Sequence, residues 1–271
     1  MKILVVGRAK TGTTVISKTL ASGAGIKNYY LEPKKIDFFV VSKHANETDT
    51  TVKIISDHWN TRPRLRNAII HNELPMTFDR KVVIIRDFRD ELLSRLFYFS
   101  FAWAQTENFN PNTAKSWVGL LQAKEQDPKG VPFSALADFL KTHTGYDAWS
   151  IPDLTGYVHF IRQLPKNAFL IRYEDFVAGN INELETYMGF KLPASRAVGN
   201  DLQRTLRSGT SGGWRSFVCA EDCAELERRY GDALEEFGYD NWDLVDGESI
   251  PPSICSEYAK RLVLEARPGS L

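Results

Sequence analysis

The chain has 271 residues, 43% of them hydrophobic, and its 34 Lys+Arg are matched by 34 Asp+Glu. That balance excludes a disordered chain, a polybasic nucleic-acid arm and an acidic tail, and it predicts one folded domain over 1–271 with an ample core. Cys219, Cys223 and Cys255 form no C-x-x-C pair and leave an odd count, which disfavours a disulfide framework or a structural zinc site.

In chain order, the first element is a short apolar run, Ile3–Val6, closed by Gly7. It is far shorter than the apolar region of a signal peptide or the roughly 20 residues of a membrane span, so a cytoplasmic protein without an integral membrane segment is expected. Apolar, β-branched runs at Ile3–Val6, Val52–Ser56, Lys81–Arg86 and Ala168–Tyr173 predict buried strands. Helical patterns lie between and after them, at Thr14 to Ser22, Asp90 to Trp103 and Glu221 to Phe237, with a further helical segment at about 253–267. Strands apolar throughout and separated by helices predict a three-layer α/β/α fold around a parallel sheet, with ligands at the carboxyl ends of the strands.

At the exit of the first strand the sequence runs Gly7-Arg8-Ala9-Lys10-Thr11-Gly12-Thr13-Thr14 into a helix. Glycines that let amides turn inward, a helix N-terminus and three hydroxyls make this a phosphate loop; an ordinary Gly-Thr turn is the alternative. It departs from the kinase pattern G-x-x-x-x-G-K-[ST], because Thr13 stands where the lysine belongs and the lysine is Lys10 instead. A second segment, Val82 to Ser94, delivers Arg86 from a strand and Ser94 eight residues later from the following helix, a pair suited to one phosphate. The alternative is that Arg86 pairs with Asp87 or Asp90, while Arg89 and Arg95 read as surface ion pairs, with Arg89 a second candidate for the phosphate. Downstream lie Arg172-Tyr173-Glu174-Asp175-Phe176 and Arg207-Ser208-Gly209-Thr210-Ser211-Gly212-Gly213-Trp214-Arg215.

Together these four segments resemble the sulfotransferases that use 3′-phosphoadenosine 5′-phosphosulfate (PAPS). Their loop reads P-K-S-G-T-T, their strand ends in Y-E-D-L, and their late loop reads R-K-G-x-x-G-D-W; here Ala9, Thr11, Ser208 and Gly213 depart from those patterns. The resemblance implies a P-loop-like sulfotransferase fold and transfer of a sulfonyl group from PAPS to a hydroxyl or amine, releasing adenosine 3′,5′-bisphosphate (PAP) without a metal. It implies Lys10 at the bridging oxygen and the loop from Arg8 through Thr11, Gly12, Thr13 and Thr14 around the 5′-phosphate. Tyr173 falls near the adenine, and Arg86, Ser94, Arg207, Ser208 and Gly209 fall at the 3′-phosphate. For the general base it offers His58, at a strand's end, and Glu32, in an E-P segment after the first helix; His71 and Glu73 are weaker candidates.

Acceptor recognition is expected in the divergent region 97–152, rich in aromatic residues, of which Phe97, Phe101 and Ala104 at helical spacing read as core. Its lysines are balanced by acids, which points to a small-molecule or carbohydrate acceptor and away from a polyanion or nucleic acid. The last helical segment is read as capping the domain or as packing on a second subunit in a homodimer. A small-molecule P-loop kinase and a non-catalytic nucleotide-binding module are the rival functions.

Overall fold

The computed structural model describes residues 1–40, 48–57, 61–194, 204–246 and 249–271. In chain order they form β1 (Lys2–Gly7), α1 (Thr13–Gly23), β2 (Asn28–Leu31), β3 (Thr50–Ile55), α2 (Pro63–Ile70), β4 (Arg80–Ile85) and α3 (Phe88–Ala104). There follow α4 (Pro111–Gln126), α5 (Phe133–Thr144), α6 (Leu154–Arg162), β5 (Ala168–Arg172), α7 (Tyr173–Ala178) and α8 (Asn182–Met188). The last helices are α9 (Trp214–Phe217), α10 (Ala220–Glu236) and α11 (Ser256–Ala266). Two compact units result, each from two stretches of chain: residues 1–86 with 152–203, and residues 87–151 with 204–271.

Unit one holds the whole sheet, five strands in the order β2-β3-β1-β4-β5, every neighbouring pair parallel. Central β1 is buried on both faces, as a parallel strand covered by helices must be. Ile3 and Val5 join Val82, Ile84 and Ile171 on one face, under Ile16 and Leu20 of α1, Phe176 of α7 and Leu184 and Met188 of α8. Leu4, Val6, Val83 and Ile85 are buried as completely on the other. The four strands read from apolar runs are all present within a residue or two of their expected ends. The edge strand β2 is additional: Asn28-Tyr29-Tyr30-Leu31 is half exposed and has no continuous apolar run.

The register places the carboxyl ends of the strands at one edge of the sheet. Gly7 stands opposite Ile55 of β3 and Ile84 of β4, Leu31 opposite Lys53, and Arg172 opposite Ile85. The loop after β1, Glu32, Asp57, Arg86 and Tyr173 therefore all leave the sheet at that edge.

Unit two is helical. The Asp87 carboxylate caps α3 by accepting the Arg89 amide at 2.9 Å, and Asn110 caps α4 in the same way through the amides of Asn112 and Thr113. Helix α11 packs on α3 and α4, with Tyr258, Leu262 and Val263 buried along with Leu92, Leu96 and Leu121; the C-terminal segment thus caps its own unit. Phe97 and Ala104 are core as the spacing suggests, and so are Trp103, Trp117 and Phe133, whereas Phe101 is half-buried. All three cysteines are buried as free thiols. Among the described residues no helix is long and apolar enough to cross a membrane.

Candidate functional site

In unit one the loop between β1 and α1 is built from backbone that only special residues tolerate. Gly12 takes a left-handed φ of 82° and Lys10, unusually for a residue with a side chain, a φ of 68°. A Cβ on Gly12 would stand 2.3 Å from Cδ2 of Tyr173, so the glycine is required by its conformation and by the ring pressed on it. The loop closes on itself where the Thr11 hydroxyl donates to the Arg8 carbonyl at 2.8 Å. The first-turn amides of α1 have no partner within the helix, and Gly12 at the cap position has no side chain to cover them.

Three side chains tie the loop to its surroundings. Asp57, leaving β3, accepts the Ala9 amide at 2.7 Å. Arg8, fully buried, donates to the Pro152 carbonyl at 2.6 Å and lies over the Tyr157 ring. Arg86, leaving β4, donates to the Lys10 carbonyl at 2.8 Å, and its guanidinium sits 4.5 Å above the centre of the Tyr173 ring. Gly12, Tyr173, Arg86 and Lys10 thus form one stack, in which the left-handed backbone of Lys10 is fixed through its carbonyl.

Glu32 follows β2, also left-handed at φ 53°. Its Oε1 lies 2.9 Å from Lys53 Nζ, and its amide donates to the Lys53 carbonyl. That lysine is buried within β3, and its ammonium also donates to Thr14 Oγ1 at 3.0 Å. Reading the sequence missed both Lys53 and Asp57. A charged residue inside an otherwise apolar strand, and an acid at a strand's exit, were the available signals. Among the described residues, left-handed non-glycine backbone occurs at Lys10, Glu32, Asn72 and Asp153; the first two lie at the loop after β1 and at the exit of β2. His58 lies outside the described residues. His71 and Glu73 follow α2 and are exposed.

Unit two carries the other candidates. Asp90, Ser94 and Phe97 share a face of α3, at i, i+4 and i+7. Asp90 accepts the amides of Gly212 and Trp214, and Arg207 lies over the Phe97 ring and donates to the Ile254 carbonyl. Ser94 is buried and Arg207 half-buried. Gly209 is left-handed at φ 68°, and the Ser208 hydroxyl oxygen accepts from the Thr210 amide and sits 3.0 Å from its hydroxyl.

Arg89 is not a surface residue. It forms a bidentate pair with Asp87, donates to the carbonyls of Asn241 and Tyr239, and lies 4.0 and 4.3 Å from the ring centres of Trp214 and Trp242, which meet edge to face beside it. Burial pushes the Asp87 carboxyl above the usual range, against the pull of Arg89. Arg95 likewise pairs with a buried acid, Glu91.

No family model and no curated protein matches the sequence. Among solved structures, mouse sulfotransferase SULT7A1 in complex with PAP matches 88% of this chain and 86% of its own, at 12% identity and a TM-score of 0.50. With its five-stranded parallel sheet, flanking helices and loop after the first strand, the chain has the fold of the sulfotransferases.

Proposed function

We propose that the chain is a PAPS-dependent sulfotransferase acting on a hydroxyl or amine of a small-molecule or carbohydrate acceptor. The observation that carries the reading is the stack of Gly12, Tyr173, Arg86 and Lys10. It holds a lysine at the shoulder of an anion-binding loop, three residues before Thr13, the position at which a kinase carries its lysine. Left-handed backbone at Lys10 and Gly12 and uncovered amides at the start of α1 fit a phosphate group.

When bound, the donor would supply the sulfonyl group: a bond from the acceptor's oxygen or nitrogen to sulfur forms as the bond from sulfur to the bridging oxygen breaks, and PAP leaves with that oxygen. Lys10 neutralises the charge that gathers on the departing phosphate oxygen, while the amides of Gly12, Thr13 and Thr14 and the hydroxyls of Thr13 and Thr14 hold that phosphate in place; the Thr11 hydroxyl, which donates to the Arg8 carbonyl, shapes the loop instead. Glu32 takes the proton of the acceptor's hydroxyl, supported by its pairing at the loop edge; His58 is the alternative the resemblance offers. Arg8 and Asp57 keep the loop in shape. By resemblance, the 3′-phosphate is assigned to Arg86, Ser94, Arg207, Ser208 and Gly209, and the adenine to Tyr173. No step assigned to these residues calls for a divalent metal.

Calorimetric titration with PAP, run beside AMP, ADP and ATP with and without Mg²⁺, tests the reading. Metal-independent binding that is lost with the 3′-phosphate supports it, and preference for ATP with Mg²⁺ replaces it with a kinase. Lys10→Ala is expected to abolish sulfonyl transfer while leaving PAP binding within a few-fold of wild type. Transfer at near-normal rate by that variant removes Lys10 from the mechanism.

A further inference from the structure

Lys53 is the one charged residue of the described strands that is buried. It lies in β3 between β1 and β2, only 4% exposed, where an aliphatic side chain would satisfy the packing. Its ammonium is held at two points, 3.0 Å from Thr14 Oγ1 and 2.9 Å from Glu32 Oε1. The Glu32 carboxylate oxygen therefore lies within about 6 Å of the Thr14 hydroxyl oxygen, in the first turn of α1. A cation at a helix N-terminus opposes the helix dipole, so this placement makes sense where negative charge gathers. Glu32, in turn, is an acid beside a loop shaped to take an anion, and two like charges that close repel each other.

We propose that Lys53 is the counter-ion that lets a carboxylate stand beside the anion-binding loop, and that it positions Glu32 there. One cation serves both neighbours. It offsets the repulsion between Glu32 and the bound anion and fixes one carboxylate oxygen, leaving the other for the acceptor. By donating to Thr14 Oγ1 it also turns that residue's own O–H away from itself. Lys53 is thus a positioning residue that acts through Glu32 and Thr14. The proposal rests on the reading of the loop as an anion site and of Glu32 as its neighbouring base.

The test is a binding comparison that needs no acceptor. PAP affinity is measured by calorimetry for wild type, Lys53→Met, Glu32→Gln, the double variant and Lys53→Arg, with thermal melting to confirm that each is folded. Lys53→Met is expected to weaken PAP about tenfold, and Glu32→Gln to leave it equal or slightly tighter. In the double variant affinity should return to within about threefold of wild type, and Lys53→Arg should retain it. A purely structural lysine would give a loss that Glu32→Gln does not repair. That result overturns the proposal, as does an unchanged affinity in Lys53→Met. If Lys53→Met does not fold, Lys53→Arg and Lys53→Gln are compared in its place, and equal affinity of the two overturns it. If wild type binds ATP or inorganic pyrophosphate but not PAP, the sulfotransferase reading fails by itself, and the same variants titrated with that anion still decide the role of Lys53. Absence of binding to all three anions overturns both.

Discussion

Gly12 is the position at which backbone conformation and side-chain packing can be separated by experiment. Alanine there must hold φ near 82°, which costs a residue with a Cβ about 1–2 kcal/mol. Its methyl would also stand 2.3 Å from Tyr173. The ring cannot retreat freely, because Arg86 covers it and it is buried; forcing an extra methyl into such a contact costs about 1–3 kcal/mol. Gly12→Ala should therefore lose about 2–5 kcal/mol, a large share of the 5–15 kcal/mol of a typical domain. Gly25 provides the control: it is also left-handed, at φ 66°, but nothing lies within 4 Å of its Cβ position. Gly25→Ala should lose only the backbone part, about 1–2 kcal/mol. Urea unfolding of both variants gives the difference, and PAP titration shows whether the loop is distorted with it, the expectation being at least a tenfold loss for Gly12→Ala alone. Equal stability and equal PAP affinity in the two variants would refute the account of the Gly12–Tyr173 contact.

Two further predictions concern unit two. Arg89→Leu leaves the buried Asp87 carboxylate without its bidentate partner and should cost about 3–5 kcal/mol in urea unfolding; Asp87→Asn added to it should recover part of that loss, and a single-variant cost below about 1 kcal/mol would contradict the pairing. Lys124 is fully buried, and burial pulls its ammonium down to about 8 from an ordinary 10.5. Between those values the unfolded chain holds the proton more tightly than the folded one, so this residue's contribution makes stability rise with pH from about 8 toward 10.5. Measured at pH 7 and pH 9.5, the stability of wild type relative to Lys124→Met should shift in favour of wild type by about 1–2 kcal/mol; parallel pH profiles would remove the effect.

The elements most legible in the sequence were those with one dominant physical cause. Buried parallel strands must be apolar on both faces, so β1, β3, β4 and β5 showed themselves as runs; β2, at the sheet's edge and half exposed, did not. The tight turn between β1 and α1 was legible because Gly12 stands at a strand-to-helix junction, where a left-handed residue is needed. The supports of that turn were not. Lys53 is a single charge in an apolar run, and only the pairing of β3 with β2 reveals that it meets Glu32. Asp57 reads as part of a turn until its carboxylate is seen on the Ala9 amide. Arg89 had acids close by in sequence, which suggested a local surface pair, but Trp214 and Trp242, which lie against it, come from far along the chain. Contacts set by tertiary folding leave no mark in local periodicity.

The interleaving of the two units bears on how the chain is made. Strands β1 to β4 all lie in the first 86 residues, whereas β5, which covers the outer edge of β4, begins at Ala168. At ordinary rates of synthesis the intervening stretch of roughly 80 residues takes about 4–16 s to emerge. Throughout that interval the apolar β4, with Val82, Val83, Ile84 and Ile85, has an unpaired row of backbone donors and acceptors, the kind of edge that recruits other chains. A nascent chain stalled between β4 and β5 should be the form of this protein most dependent on chaperones, and truncations ending there should aggregate while the full-length chain stays in solution.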